Sequence, residues 1–145
     1  SIQGGCLCKA VRYESSSDPM VTRVCWCRDC QYIAAGNGTV NVFFPTDSFT
    51  VQGETSTYRS VADSGNVIFR RFCAKCGTPL FTAAEVRPHI IGVRAGTLDD
   101  PNLVGLPNHL GIFRPALGVH FKINPARGAP GPSPGVGIVA ELADG

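Results

Sequence analysis

The sequence contains no apolar run that approaches the roughly 18 residues of a membrane-spanning helix. Its net charge is only +2, which is too small to indicate a nucleic acid or a membrane surface as a partner. Residues 1–8 lack the basic and apolar segments of a secretory signal, so we expect a cytoplasmic location. Helical periodicity is nearly absent from the 145 residues. These absences exclude a helical bundle and leave a water-soluble globular domain without predicted membrane or nucleic-acid partners.

What the sequence does contain is a series of short segments rich in β-branched and aromatic residues. Glycine, proline and polar residues separate these segments, and several of them alternate apolar with polar residues. We therefore predict an all-β domain, with single helical turns at Arg28–Ile33 and Thr97–Pro101. The predicted strands are 10–14, 39–44, 49–52, 67–72 and 90–94.

The C-terminal region differs in composition from the rest of the chain. Residues 125–137 contain eight proline and glycine residues, which cannot support a regular backbone hydrogen-bond pattern. We predict a folded β domain over residues 1–124, followed by an extended Pro/Gly-rich arm over residues 125–145.

Seven cysteines occur in three short clusters, which have the patterns C-x-C, C-x-C-x-x-C and C-x-x-C. Their odd number and tight spacing disfavour disulfides, as does a reducing compartment. Clusters of thiolates favour zinc or an iron–sulfur group instead. The cysteines are Cys6 and Cys8, then Cys25, Cys27 and Cys30, then Cys73 and Cys76.

The spacings predict how these cysteines divide between metal ions. In an extended C-x-C segment both side chains point to the same face, and a C-x-x-C segment brings its two sulfurs together in a tight turn. One C-x-C and one C-x-x-C then supply the four sulfurs of a closed zinc site, which leaves three cysteines for a second zinc with an open position. Open positions are typical of catalytic and ligand-binding zinc sites. The closed site would use Cys6, Cys8, Cys73 and Cys76, and the open one Cys25, Cys27 and Cys30.

A ribbon-type alternative remains open on spacing alone. It would join Cys27 and Cys30 to Cys73 and Cys76, although 42 residues separate the pairs instead of the usual 15–20 or so. For the three histidines we expect ordinary packing rather than a role as base or metal ligand. They are His89, His109 and His120.

The cysteine motifs and their neighbours resemble the glutathione-dependent formaldehyde-activating enzyme family, which also covers centromere-protein-V-like proteins. The resemblance is strong from about residue 4 to residue 101. It rests on Gly4–Cys8, Ala10–Glu14, Cys25–Gln31, Arg71–Phe81 and Ala95–Pro101.

This resemblance implies a Mss4-like β-tent fold with two zinc ions per chain. The structural zinc would be held by the four-cysteine set, and the second would lie at the substrate site, with Cys25, Cys27 and Cys30 as catalytic ligands. The implied activity is that of a carbon–sulfur lyase, an S-(hydroxymethyl)glutathione synthase, which adds the thiol of glutathione to formaldehyde. The implied partners are glutathione or a related thiol and a small aldehyde. Basic side chains would bind the glutathione carboxylates, with Arg23, Arg28 and Arg70 as candidates.

The sequence also departs from the family pattern. Trp26 stands where the family usually has histidine, Lys9 where glycine is common, and no tryptophan occurs in 113–121. The departures concern the identity of the substrate. Because thiols add to formaldehyde readily without a catalyst, a second function stays open: a non-catalytic, zinc-bearing thiol carrier or protein-interaction module of the same fold. A relative of methionine sulfoxide reductase would need a nucleophilic cysteine outside both zinc sites, and the division above leaves none.

Overall fold

The computed structural model describes residues 1–103 and 119–122. These residues are mostly strand with one short helix, which confirms the all-β prediction. The helix α1 spans Arg28–Ile33, and single 3-10 turns lie at Thr46–Ser48 and Ala95–Thr97. The strands are β1 (Ile2–Gly5), β2 (Arg12–Ser15), β3 (Val21–Cys25), β4 (Thr39–Pro45), β5 (Phe49–Gln52), β6 (Thr55–Val61), β7 (Val67–Cys73), β8 (Pro79–Ala84), β9 (Ile90–Arg94) and β10 (Val119–Lys122).

The strands of the described residues form two sheets. The smaller sheet has the order β1-β2-β5, and the larger one has the order β10-β3-β4-β9-β8-β7-β6. All pairs are antiparallel except β10 with β3, which is parallel. Several consecutive strands pair as antiparallel neighbours, and the connection between β3 and β4 contains α1.

Aromatic side chains join the two sheets. Tyr13 of the small sheet stacks on Phe49 at a ring-centroid distance of 5.4 Å and meets Phe81 of the large sheet edge-on, also at 5.4 Å. Phe44 lies against Phe49 at 5.9 Å and is fully buried. Burial of a large apolar side chain stabilises the fold by about 1.5–3 kcal/mol, so this cluster is a main source of stability.

Alternation along β4 gives the large sheet two different faces. Val42 and Phe44 belong to the core, whereas Thr39, Asn41 and Phe43 occupy the intervening positions and face the other way. Thr39 and Asn41 are nevertheless buried. The second face of the sheet is therefore where polar groups are concentrated.

The strands predicted at 39–44, 49–52, 67–72 and 90–94 are confirmed, as is the helical turn Arg28–Ile33. The strand predicted at 10–14 begins two residues later, and the turn predicted at Thr97–Pro101 lies earlier, at Ala95–Thr97. Strands β1, β3, β6, β8 and β10 were not predicted. The predicted arm, 125–145, lies outside the described residues, so the domain boundary at residue 124 stays a prediction. No helix of the described residues has the length and hydropathy needed to cross a membrane.

Candidate metal centre and ligand cavity

Four cysteines from two distant parts of the chain meet beside the core, and we call them the cysteine quartet. Cys6 and Cys8 follow β1, and Cys73 and Cys76 lie at the turn between β7 and β8. Their sulfurs all lie within 4.8 Å of one another, with 3.6 Å between Cys6 and Cys8 and 3.8 Å between Cys8 and Cys73. Four sulfurs bonded to zinc at about 2.3 Å lie roughly 3.8 Å apart, so the quartet fits a zinc ion.

Backbone N–H groups donate to the sulfurs of the quartet. Val11 N–H donates to Cys6 Sγ at 3.2 Å. The N–H groups of Lys75 and Cys76 donate to Cys73 Sγ at 3.3 and 3.4 Å. Hydrogen bonds of this kind favour the thiolate form that metal binding requires.

The other three cysteines form a second group, the cysteine trio of Cys25, Cys27 and Cys30. Cys25 ends β3, Cys27 caps the N-terminus of α1 by accepting the N–H of Cys30 at 3.4 Å, and Cys30 is buried in the first helical turn. The three sulfurs lie within 4.8 Å of one another and can hold a metal ion. The structure thus separates Cys27 and Cys30 from the quartet, unlike the ribbon-type alternative.

The sulfurs of the trio strongly influence one another. Hydrogen bonds from Cys25 and Cys30 lower the pKa of Cys27 to about 2. Hydrogen bonds with Cys25 and Cys27 raise the pKa of Cys30, and the hydrogen bond with Cys27 raises the pKa of Cys25. One negative charge is therefore well accommodated, while full ionisation of three adjacent sulfurs requires a cation between them.

A cavity of about 420 Å³ opens beside the trio, and all three of its cysteines contribute to the wall. The arginines proposed for carboxylate binding, Arg23, Arg28 and Arg70, lie in the same wall, and Arg87 and Arg94 join them. Two aspartates, Asp29 and Asp63, also line the cavity. Five guanidinium groups against two carboxylates favour an anionic ligand.

The arginines are held in different ways. Arg70 is mostly buried, donates to Ser60 Oγ and lies 3.7 Å from a carboxylate oxygen of Asp29. Arg23 and Arg28 are exposed, and each lies over an aromatic ring, 5.8 Å from Phe43 and 4.4 Å from Tyr32 respectively. A ligand can therefore reach Arg23 and Arg28 more readily than Arg70.

Comparison with known proteins supports the resemblance seen in the sequence. A family model described as glutathione-dependent formaldehyde-activating enzyme matches residues 1–113. The chain belongs to this family. A crystal structure of a Rhodobacter sphaeroides protein from a structural genomics programme is similar in fold, with a TM-score of 0.55 and 21% identity. The match covers 71% of this chain and 94% of that one. No curated protein matches the chain.

The structure explains why glycine is favoured at the position that Lys9 occupies in this chain. Lys9 has a φ angle of 65°, in the left-handed region that glycine adopts without steric penalty. The backbone must turn there because Lys9 N–H donates to the carbonyl of Cys6 at 3.0 Å. Glycine at this position is thus favoured by the turn that follows the C-x-C pair, and Lys9 adopts the same conformation under strain.

The second departure, Trp26, lies outside the wall of the cavity. A Cβ atom built on Gly38 would fall 2.8 Å from the Trp26 ring, so the indole covers the backbone of this glycine. Gln31 donates to the Trp26 carbonyl at 2.9 Å and holds the C-x-C segment against α1. These contacts support a packing role for Trp26 at the rim of the trio.

Replacement of Gly38 by alanine tests this packing. We expect Gly38→Ala to lower the free energy of unfolding by about 1–3 kcal/mol, because the new methyl group would overlap the indole. Thermal unfolding of Gly38→Ala, Trp26→Leu and the double variant Trp26→Leu/Gly38→Ala measures the coupling between the two sites. An equal cost of the alanine in both backgrounds would contradict the contact.

Sequence reasoning missed three polar residues beside the trio. Thr39, Asn41 and Arg94 are buried on the face of the large sheet that carries the cavity. Burial lowers the pKa of Arg94, and the nearby charge of Cys30 opposes that effect. The sequence signal that could have revealed Thr39 and Asn41 is their alternation with the valines of the same strand. Of the histidines, His89 is exposed, while His109 and the side chain of His120 lie outside the described residues.

Proposed function

We propose that this chain binds glutathione or a related thiol beside a zinc ion held by the cysteine trio and promotes its addition to formaldehyde or a similar aldehyde. The carbon–sulfur bond forms as the carbonyl π bond breaks, and the thiol proton ends on the former carbonyl oxygen. One observation above all supports this activity: three clustered sulfurs line an arginine-rich cavity. In this proposal the quartet holds a second, structural zinc.

A zinc ion bound by three thiolates would lower the pKa of an incoming thiol and fix its position in the cavity. The chain's own contribution is to bind and orient the reactants. Cys27 and Cys30 are placed by the first turn of α1, and Cys25 by the end of β3. Because these positions belong to regular elements, the trio is preorganised before any ligand arrives.

The arginines would supply the remaining recognition. Glutathione carries two carboxylates, and guanidinium groups bind carboxylates with two parallel hydrogen bonds. Arg23 and Arg28 are exposed in the cavity wall and are proposed as the first contacts. Arg70 already faces Asp29, so we expect it to shape the wall rather than to bind the ligand alone.

Exchange NMR on mixtures of glutathione and formaldehyde tests the activity. We expect the wild-type protein to accelerate exchange with S-hydroxymethylglutathione, and Cys27→Ser to return the rate to that of the uncatalysed reaction. A loss on the order of 10²-fold or more is expected, because the thiol is no longer activated and positioned together with the aldehyde. Metal analysis of the same samples should give two zinc ions per wild-type chain and one per Cys27→Ser chain.

Two controls define the outcome. Far-ultraviolet circular dichroism of Cys27→Ser must match the wild type, because the variant removes only one sulfur from a site at the cavity wall. Cysteamine is a thiol without carboxylates. If the arginines bind the carboxylates of glutathione, the protein should accelerate the addition of cysteamine to formaldehyde less than that of glutathione. Equal exchange rates for wild type and Cys27→Ser would overturn the enzyme proposal and support the thiol-carrier alternative.

A cytoplasmic location remains a prediction from the sequence.

A further inference from the structure

Buried polar side chains are few in the described residues, and three of them form one hydrogen-bonded chain. The four buried polar or charged residues there are Ser15, Thr39, Asn41 and Arg94. Burying such groups is unfavourable unless they are paired, and apolar residues of similar size would often serve a core at least as well. Their presence on the cavity side of the sheet therefore indicates a purpose other than stability.

The chain of hydrogen bonds runs from Arg94 to the cysteine trio. Arg94 Nη1 donates to Asn41 Oδ1 at 2.5 Å, and Asn41 Nδ2 donates to Thr39 Oγ1 at 3.1 Å. The Thr39 hydroxyl in turn donates to Cys30 Sγ at 3.1 Å. We call Arg94, Asn41 and Thr39 the polar relay.

The direction of the relay is set by its first member. A guanidinium group has only donors, so it must face the oxygen of the Asn41 amide. The amide nitrogen then faces Thr39 and occupies a lone pair of its hydroxyl, which leaves the hydroxyl hydrogen for the sulfur. Each link thus presents a donor toward Cys30, and the sulfur can act only as an acceptor.

Strand register brings the members of the relay together. Thr39 lies opposite Cys25 in the β3–β4 pair, and Asn41 lies opposite Arg94 in the β4–β9 pair. Thr39 and Asn41 are two residues apart on β4 and share one face of the sheet. The relay therefore runs from β9 across β4 to Cys30 in α1, one of the three cysteines of the trio.

Charge gives a second argument, independent of the hydrogen bonds. Arg94 is only 9% exposed, and its Nε has no hydrogen-bond partner among residues 1–103 and 119–122. The ion pairs recorded in the described residues are Arg12 with Asp99 and Arg70 with Asp29. Three thiolates around a divalent cation carry a net charge of −1, so the trio itself can supply the opposite charge to Arg94.

We propose that Thr39, Asn41 and Arg94 are positioning residues that orient the Cys30 sulfur and offset the negative charge of the metal-loaded trio, and so determine how tightly the trio holds its ion. The proposal rests on the metal-binding role given to the trio under Proposed function. Partners of this kind behind metal ligands typically change metal affinity by about 10–100-fold when they are removed.

The test separates the hydroxyl of Thr39 from its shape. Thr39→Val keeps the volume but removes the donor, and Thr39→Ser keeps the donor. In competition with a chromogenic zinc chelator, we expect Thr39→Val to weaken one of the two zinc sites by about 10-fold or more, and Thr39→Ser to stay close to the wild type. Arg94→Met, which removes the charge, should weaken the same site at least as much.

The quartet provides a matched control. The Thr78 hydroxyl lies 3.0 Å from Cys76 Sγ, so Thr78→Val makes the same change beside the other group. We expect Thr78→Val to leave the zinc affinity of the trio unchanged. The trio is identified in the titration as the zinc site that Cys27→Ser removes.

The outcomes distinguish the relay from the metal site. Equal affinities for Thr39→Val and the wild type, with two ions in both, would overturn the relay alone. Equal losses in Thr39→Val and Thr39→Ser would also overturn it, because packing rather than the hydroxyl would be responsible. If Cys27→Ser binds as many zinc ions as the wild type, the metal site of the trio and the relay both fail.

Discussion

Cys73→Ser is expected to abolish cooperative folding at 25 °C. Cys73 ends β7, is only 1% exposed and belongs to the hydrophobic core as well as to the quartet. Structural zinc sites contribute about 10–16 kcal/mol in small zinc-binding peptides, whereas whole domains are stable by only about 5–15 kcal/mol. Loss of one of four ligands would therefore remove much or all of the net stability. Thermal unfolding followed by circular dichroism, together with zinc content, measures the effect.

The same atom change in the trio is the control for this prediction. We expect Cys27→Ser to retain a cooperative transition, because Cys27 caps a six-residue helix at the cavity wall and lies outside the core cluster. An unfolding midpoint of Cys73→Ser within a few degrees of the wild type would show that the quartet is not structural. Chelation of zinc from the wild type should reproduce the Cys73→Ser result.

Gly4→Ala is expected to lower the free energy of unfolding by about 3 kcal/mol, at the upper end of the usual cost of overpacking. A Cβ atom at Gly4 would fall 2.1 Å from Tyr13 Oη and 2.4 Å from the Thr97 carbonyl oxygen. Tyr13 cannot move aside easily, because its hydroxyl lies 2.9 Å from Thr97 Oγ1 and its ring stacks on Phe49. The unfolding midpoint should fall by roughly 10 °C for a chain of this size.

Gly96→Ala is the matched control for this steric effect. Gly96 lies in the 3-10 turn Ala95–Thr97, and within the described part of the chain no atom beyond its chain neighbours lies within 4 Å of a Cβ built there. We expect its stability to stay within about 0.5 kcal/mol of the wild type. Equal stability of Gly4→Ala and Gly96→Ala would contradict the close approach of β1 to Tyr13. Because β1 leads directly to Cys6, zinc retention by the quartet in Gly4→Ala is a useful second measurement.

Strand prediction succeeded where burial and residue type agree. The segment 39–44 alternates valine and phenylalanine with polar residues, and 90–94 is almost wholly apolar, so both were recognised. In contrast, β6 (Thr55–Val61) is mostly polar and lies at the edge of the large sheet. It forms because its backbone pairs with β7 over seven residues. Such pairing depends on a neighbour elsewhere in the chain, which a local pattern does not contain.

The features of the candidate site also divide into those that a local sequence pattern could predict and those that depend on distant parts of the chain. The sulfurs within each C-x-C or C-x-x-C motif could be expected to lie together, because local geometry brings them to one side of the chain. The meeting of Cys6 and Cys8 with Cys73 and Cys76 depends on the tertiary fold. The arginines beside the trio were proposed from the needs of an anionic ligand, and Arg87 and Arg94 were overlooked. Arg94 lies 64 residues from Cys30 in sequence, and only the register of β3, β4 and β9 brings them near each other.

The sequence by itself therefore determined a mainly β fold, two groups of clustered cysteines and the motifs of the family. These features depend on residue types and on spacings of two or three positions, over which the chain has little freedom. Only the tertiary structure decided that the trio faces an arginine-lined cavity and that a buried guanidinium reaches it through Asn41 and Thr39. Those contacts join neighbouring strands, and their register follows from the packing of the whole sheet rather than from any single segment.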